Sequence, residues 1–201
     1  MEKLQTQSWG RTLFEMIQDR KYTINDGDTC YQDIVKKLTK SEDKTYFCFD
    51  SSNRCVCISY ISPSESSGNV GKNDIVSILE NIMKPNNSNR CLLILDGVKL
   101  TSAAKSDIFT YFPTYIFESF ELSHLQFNIT KSDIVPKHKI LSDEKVEKII
   151  KKYKMEKKEM PKILYEDPVA RYLGMLPGQI CKINRISENG GKVNFYRICT
   201  L

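Results

Sequence analysis

The chain lacks any run of about 18 apolar residues, so no segment is long enough to span a bilayer as a helix. Its opening residues, MEKLQTQSWGRTLFE, carry no apolar stretch ahead of a small-residue cleavage site. The expectation is an intracellular chain with no membrane partner. Histidine is scarce: His124 and His138 are the only 2. Both lie in polar junctions, which leaves little from which to build a histidine-based catalytic site. The nucleophile elbow Gly-x-Ser-x-Gly, the phosphate loop Gly-x-x-x-x-Gly-Lys and the dinucleotide turn Gly-x-Gly-x-x-Gly are all missing. Cysteine is present but does not suggest a disulfide framework. There are 7, an odd number, and most sit in apolar runs, so reduced and buried thiols are expected. Cys55 and Cys57 are the only close pair. One intervening residue puts both on one face of a strand, whereas zinc sites start from wider spacings and need a second pair. No metal or other cofactor is expected.

What is present is ordinary in amount and uneven in placement. The 201 residues are 40% hydrophobic and 27% charged, as in a globular protein of one large domain or two small ones. Residues 1–129 hold 14 Lys/Arg against 16 Asp/Glu, while residues 130–201 hold 16 against 9. The net charges are −2 and +7, which places an electrostatic boundary near Thr130. A basic half suits either an acidic partner surface or nucleic acid, and equally a solvated lysine-rich helix.

Periodicity divides the chain the same way. Trp9, Leu13, Phe14 and Ile17 fall on one helical face, as do Tyr31, Ile34, Val35 and Leu38 on a second helix that Asp28 or Thr29 could cap. TYFCFD and RCVCISYI read as a β-hairpin turning at Asp50–Asn53. Ile75, Ile78, Leu79 and Ile82 mark a third helix, with Asn73 as its cap. CLLILDG is apolar on both faces and therefore predicts a covered, central strand. A helix broken or restarted at Pro113 follows, then a strand at LQFNIT. The order α-α-β-β-α-β-α-β over residues 1–130 predicts an α/β domain with a small helix-covered mixed sheet. In residues 131–201, Ser142 is expected to cap a helix striped by Val146, Ile149, Ile150 and Tyr153. DPVARYLG is punctuated as a complete short helix: Asp167 caps it, Pro168 opens it and Gly174 ends it. GQICKINRI and GKVNFYRIC are two strands joined by a glycine-ended turn. Together they predict a second, small α/β unit with a thin core.

Three chemistries compete for these residues. Asp96 and Lys99, beyond the central strand, resemble a fragment of a metal-dependent nuclease if Asp50 supplies another carboxylate; Asp-Gly is also a common turn dipeptide. A free module that binds transcription factors is another reading. The third rests on DPVARYLGMLPGQICKINRISENGGKVNFYRI together with NITKSDIVPKHKILSDEKVEKIIKKYKMEKKEMPKI. These segments resemble the fifth subunit shared by eukaryotic RNA polymerases I, II and III. The C-terminal part is also similar to the corresponding small subunit of archaeal RNA polymerase. MIQDRKY and LDGVKLTSAAKSDI are similar to the family's N-terminal jaw domain, with Lys21 where the family has glycine, and Ser102 and Ala103 where it has Pro-Ser. Leu176 and Pro177 stand where it has Lys-Arg.

The resemblance implies a non-catalytic, nuclear polymerase subunit with a jaw domain over 1–130 and an assembly domain over 131–201. It implies docking on the largest subunit through Asp167, Pro168, Arg171, Tyr172, Gly174, Gly178, Arg185 and Arg197. It further implies that Thr101, Ser102 and Lys105 lie beside downstream duplex DNA, touching phosphates, and that general transcription factors are further partners.

Overall fold

The computed structural model describes residues 2–24, 30–40, 44–63, 68–186 and 191–201. Asp28 and Thr29, and most of the turn expected after Ile186, lie outside the described residues. The chain divides into two compact units, 1–127 and 128–201.

The first unit is a three-layer α/β sandwich. Helix α1 (Glu2–Asp19) and helix α2 (Tyr31–Lys40) are followed by the antiparallel pair β1 (Thr45–Phe49) and β2 (Cys55–Ile61). The Asp50 carboxylate holds the turn, accepting from the Ser52 and Arg54 backbone N–H groups at 2.8 and 3.0 Å. A short strand β3 (Asn69–Val70), helix α3 (Lys72–Ile78), strand β4 (Arg90–Leu95), a short strand β5 (Lys99–Leu100), helix α4 (Ser102–Tyr111) and strand β6 (Ile116–Glu121) complete the unit. The main sheet runs β1-β2-β4-β6, parallel except for β1. β4 is thus central, as its two-faced apolarity predicts.

Alternation along β2 and β4 sorts the core. Cys57, Ile61, Cys91, Leu93 and Leu95 pack with Ile75 of α3, with Leu79 and Met83 of the helical segment that continues it (Leu79–Met83), and with Ala104 of α4. Val56, Ile58, Leu92 and Ile94 point to the other face, where Trp9 of α1 stacks on Tyr60 with ring centroids 5.8 Å apart. The α1 stripe buries Trp9, Leu13, Met16 and Ile17, with Phe14 only half-buried. Gly10 lets α2 approach closely, since a Cβ there would lie 2.1 Å from Val35 Cγ2.

Several expectations need correction. Asn73 does not cap α3: the cap is Gly71, whose N–H donates to Asp74 at 2.7 Å. The strand lies at Ile116–Glu121, not at LQFNIT, and α4 ends before Pro113. IFESFE reads as helical because it continues an apolar-rich segment, but its Ile and Phe residues cover both faces of a sheet-edge strand. LQFNIT instead runs from the end of one helical turn, Leu122–Leu125, into the start of another, Ile129–Lys131.

The second unit has its own four-stranded sheet. β7 (Lys137–Ile140), helix α5 (Asp143–Tyr153), β8 (Lys162–Leu164), helix α6 (Pro168–Tyr172), β9 (Ile180–Ile186) and β10 (Lys192–Thr200) follow in order, and the sheet runs β7-β9-β10-β8. β9 and β10 are antiparallel, as expected, and β8 joins β10 in parallel. β7 and β8 have no counterpart in the sequence pattern; at 4 and 3 residues they are too short to show a period. Helix α5 covers one face through Val146 against Ile180, Tyr196 and Ile198. α6 and the turn after it cover the other, through Ala170 and Met175 against Cys181, Ile183 and Cys199. Ser142 does sit at the α5 cap, but its carbonyl, not its hydroxyl, accepts the first helical N–H groups.

Candidate functional site

Two regions carry the residues singled out by sequence. The first is the α6 segment with the β9–β10 hairpin. The Asp167 carboxylate accepts from the Val169 and Ala170 N–H groups at 2.9 and 3.2 Å, a double cap for a five-residue helix. Pro168 takes the first turn, where its missing N–H costs nothing. Gly174 has φ 66° and Gly178 φ 86°, conformations natural to glycine. Met175 N–H reaches back to the Ala170 carbonyl at 2.9 Å, closing the helix end. Tyr172 is buried, and its hydroxyl accepts from Asn128 Nδ2 at 2.8 Å. Asn128 Oδ1 in turn caps the Ile129–Lys131 turn through the Thr130 N–H and hydroxyl. Arg171 is half-buried and already interacts within the chain. Arg197 donates to the Lys162 carbonyl at 2.9 Å, fastening β10 to β8.

The motif is therefore largely a self-supporting scaffold. What it offers outward is Arg185, whose guanidinium lies 5.4 Å from the Phe195 ring centroid, together with Val193 and Phe195, 40% and 46% exposed. Val193 and Phe195 are residues that the sequence reading missed. Their apolar character between Lys192 and Arg197 was the available signal. Cys181 and Cys199 are fully buried, and burial raises both thiols, Cys199 to about 11. A thiol so protonated is no nucleophile.

The second region is the start of α4. Thr101 Oγ1 accepts from the Ala104 N–H at 3.2 Å, and the Thr101 carbonyl accepts from the Lys105 N–H at 3.0 Å. The N–H groups of Ser102 and Ala103 remain at the positive end of the helix, both residues being exposed, as are Lys105 and Lys99. The approach to the helix is braced. β3 and β5 pair in parallel, and the Thr101 N–H donates to the Val70 carbonyl at 3.0 Å. Two-residue strands leave no trace in a sequence pattern, so this brace could not have been foreseen. Ser102 occupies the first helical position, where a proline would also fit.

The nuclease constellation does not assemble. Asp50 follows the end of β1, beside the start of β2, whereas Asp96 follows the end of β4, beside the end of β2. The length of β2 separates them by about 20 Å. Asp50 is paired with Arg54 at 2.7 Å, and Asp96 accepts from the Tyr60 hydroxyl. No cluster of three His, Cys, Asp or Glu suited to a metal occurs among the described residues.

Comparison with known proteins supplies what geometry alone cannot. Residues 127–199 match the model of the RNA polymerase Rpb5 C-terminal domain. The chain is 31% identical over 193 residues to a protein from Dictyostelium discoideum named DNA-directed RNA polymerases I, II, and III subunit rpabc1. That alignment covers 94% of each chain. The chain belongs to the Rpb5 family of RNA polymerase subunits. Family members from Caenorhabditis briggsae and Caenorhabditis elegans, named as subunit RPABC1 of the same polymerases, are each 33% identical over 129 residues. These alignments cover 64% of this chain and 60% of the relative. The family-model match begins beside Asn128 and takes in α6 and the hairpin, so the scaffold just described is the part of this Rpb5-family chain that the domain model recognises.

Proposed function

We propose that the chain is a non-catalytic, nuclear subunit common to RNA polymerases I, II and III. One observation carries this: the Dictyostelium relative aligns across 94% of both chains, so both units are accounted for together. In this reading, residues 131–201 form the assembly domain and dock on the largest subunit. Asp167, Pro168, Tyr172, Gly174 and Gly178 shape the docking element, while Arg171, Arg185 and Arg197 supply positive charge along it. Residues 1–130 form a jaw beside downstream duplex DNA. Thr101, Ser102 and Lys105 would meet phosphates through a helix start and one cation, a contact that positions but does not read bases. The jaw half is slightly acidic overall, so such contact is local. General transcription factors are further partners.

Affinity purification of the tagged chain tests the assignment. Large polymerase subunits should co-purify. Arg171→Ala with Gly174→Val should release the chain, and Lys105→Ala should not. Lys105→Ala should lower the slope of log affinity against log salt for downstream DNA by about one. Recovery of the tagged chain alone would sink the assignment, and equal retention of both variants would remove the docking role from α6.

A further inference from the structure

The outer edge of β10 is open between Val193 and Tyr196. β8 pairs with β10 only at Ile198–Thr200, and no other described strand pairs with that side. Hydrogen bonding shows which backbone groups face outward. The Cys199 N–H points inward to the Gln179 carbonyl at 2.8 Å, and the Ile198 N–H points outward to the Pro161 carbonyl at 2.9 Å. Strand alternation then directs Val193, Phe195 and Arg197 toward β9, and the N–H and C=O groups of Asn194 and Tyr196 toward the open edge. An exposed edge is a template for another strand.

The residues beside this edge have a definite character. β9 and β10 together contain Lys182, Arg185, Lys192 and Arg197 and no acidic residue. Val193 and Phe195 stand on one face with Arg185, by the register Val193 to Arg185 and Phe195 to Ile183. The acids nearest the start of β8 are engaged: Glu156 pairs with Lys158 at 2.7 Å, and Glu159 accepts from the Glu156 N–H at 2.8 Å. Among the described residues the edge is therefore basic and apolar, and Glu156 and Glu159 are taken up by other partners.

We infer that the open edge of β10 at Asn194–Tyr196 receives an extended, acidic segment of a partner polypeptide as an added strand. Its backbone bonds to Asn194 and Tyr196, its apolar side chains rest on Val193 and Phe195, and its carboxylates face Arg185. Strand addition of this kind takes affinity from main-chain bonds and specificity from alternate side chains. The inference rests on the docking reading above and gives it a mode.

Hydrogen exchange, resolved to single amides and measured on the full chain free and in purified polymerase, tests it. In the free chain the Asn194 and Tyr196 amides should exchange fast, and those of Val193 and Phe195 slowly. In the complex the two outward amides should slow by at least about tenfold, since a paired amide exchanges only on opening. Asn194→Pro, which removes an outward N–H and no internal bond, should keep the circular dichroism of the wild type yet weaken retention in the complex. Arg185→Glu should weaken it as well. Co-purification with unchanged exchange at Asn194 and Tyr196 would overturn strand addition and leave docking standing. Failure to co-purify would remove both. Retention of Arg185→Glu at wild-type strength would exclude an acidic occupant, and protection produced by duplex DNA alone would show the edge to be a nucleic-acid contact.

Discussion

At the scale of single residues, the tightest polar knot in the chain is Arg20 with Glu118. The two are bidentate at 2.6 and 3.1 Å, with side chains 2% and 6% exposed. Arg90 reaches the same carboxylate at 3.2 Å and donates to the Tyr22 hydroxyl at 3.0 Å. Burial alone would lower the pKa of Arg20, but Glu118 and Tyr22 outweigh it and hold the guanidinium charged above its ordinary value. Removing the carboxylate leaves buried cations without their shared anion. Glu118→Ala should therefore cost about 3–5 kcal/mol in urea unfolding, far more than a surface pair. A loss below about 1 kcal/mol would mean that water reaches the guanidinium. The thiols respond to pH instead. Burial raises Cys48 to about 12 and Cys199 to about 11, from an ordinary 9.0. Between pH 9 and these values the folded chain keeps protons that the unfolded chain has lost, so stability must fall as pH rises. The slope is about 1.4 kcal/mol per pH unit for each such group. Under reducing conditions, Cys48→Ala should lose less stability than the wild type between pH 8 and pH 10. Equal losses would remove Cys48 from the account.

At the scale of elements, four helical segments end in the same way with different residues. Lys21, Asn87, Lys154 and Gly174 all take positive φ, at 59, 50, 50 and 66°. In each case the next N–H reaches back five residues: Tyr22 to Ile17, Ser88 to Met83, Met155 to Ile150 and Met175 to Ala170. Only Gly174 suits that conformation without strain. Lys21→Gly should stabilise the chain by up to about 1 kcal/mol, the left-handed penalty less the added chain entropy. A lower thermal midpoint in that variant would show that the lysine side chain contributes more than its backbone costs. This recurrence explains what the sequence could reveal. DPVARYLG was legible because each signal is local: an acid two and three residues from the N–H groups it caps, proline at the first turn, glycine at the end. The β1–β2 hairpin and the central β4 were legible for the same reason, through a turn cluster and a two-faced apolar run. The helix ends at Lys21 and Lys154 carried no such mark. β6 was misread because Glu118 looks solvent-facing until Arg20, 98 residues away, is placed beside it. β7 and β8 follow the edges of longer neighbours, β3 and β5 pair with each other, and pairing across the fold leaves no period in so few residues.

At the scale of the whole molecule, charge and folding follow the same division. The 14 cations and 16 anions of residues 1–129 contrast with the 16 and 9 of residues 130–201. Each compact unit also closes a hydrophobic core of its own: one around Leu93, Ile75 and Met83, the other around Cys181, Ile183 and Ala170. A chain with two cores need not unfold in one step. Glu118→Ala strikes the first unit only. Gly174→Val strikes the second, placing a β-branched residue at φ 66° in a buried position, at a cost of about 1–2 kcal/mol or more. Each substitution should lower one calorimetric transition and leave the other in place, and the double variant should show the sum of the two losses to within about 0.5 kcal/mol. The second outcome matters for function. If the Gly174→Val chain leaves the polymerase while its Glu118-dependent transition is unchanged, the loss lies in the second unit and not in a general collapse. If both transitions fall together in either single variant, the two units fold as one, and release from the complex could no longer be assigned to α6.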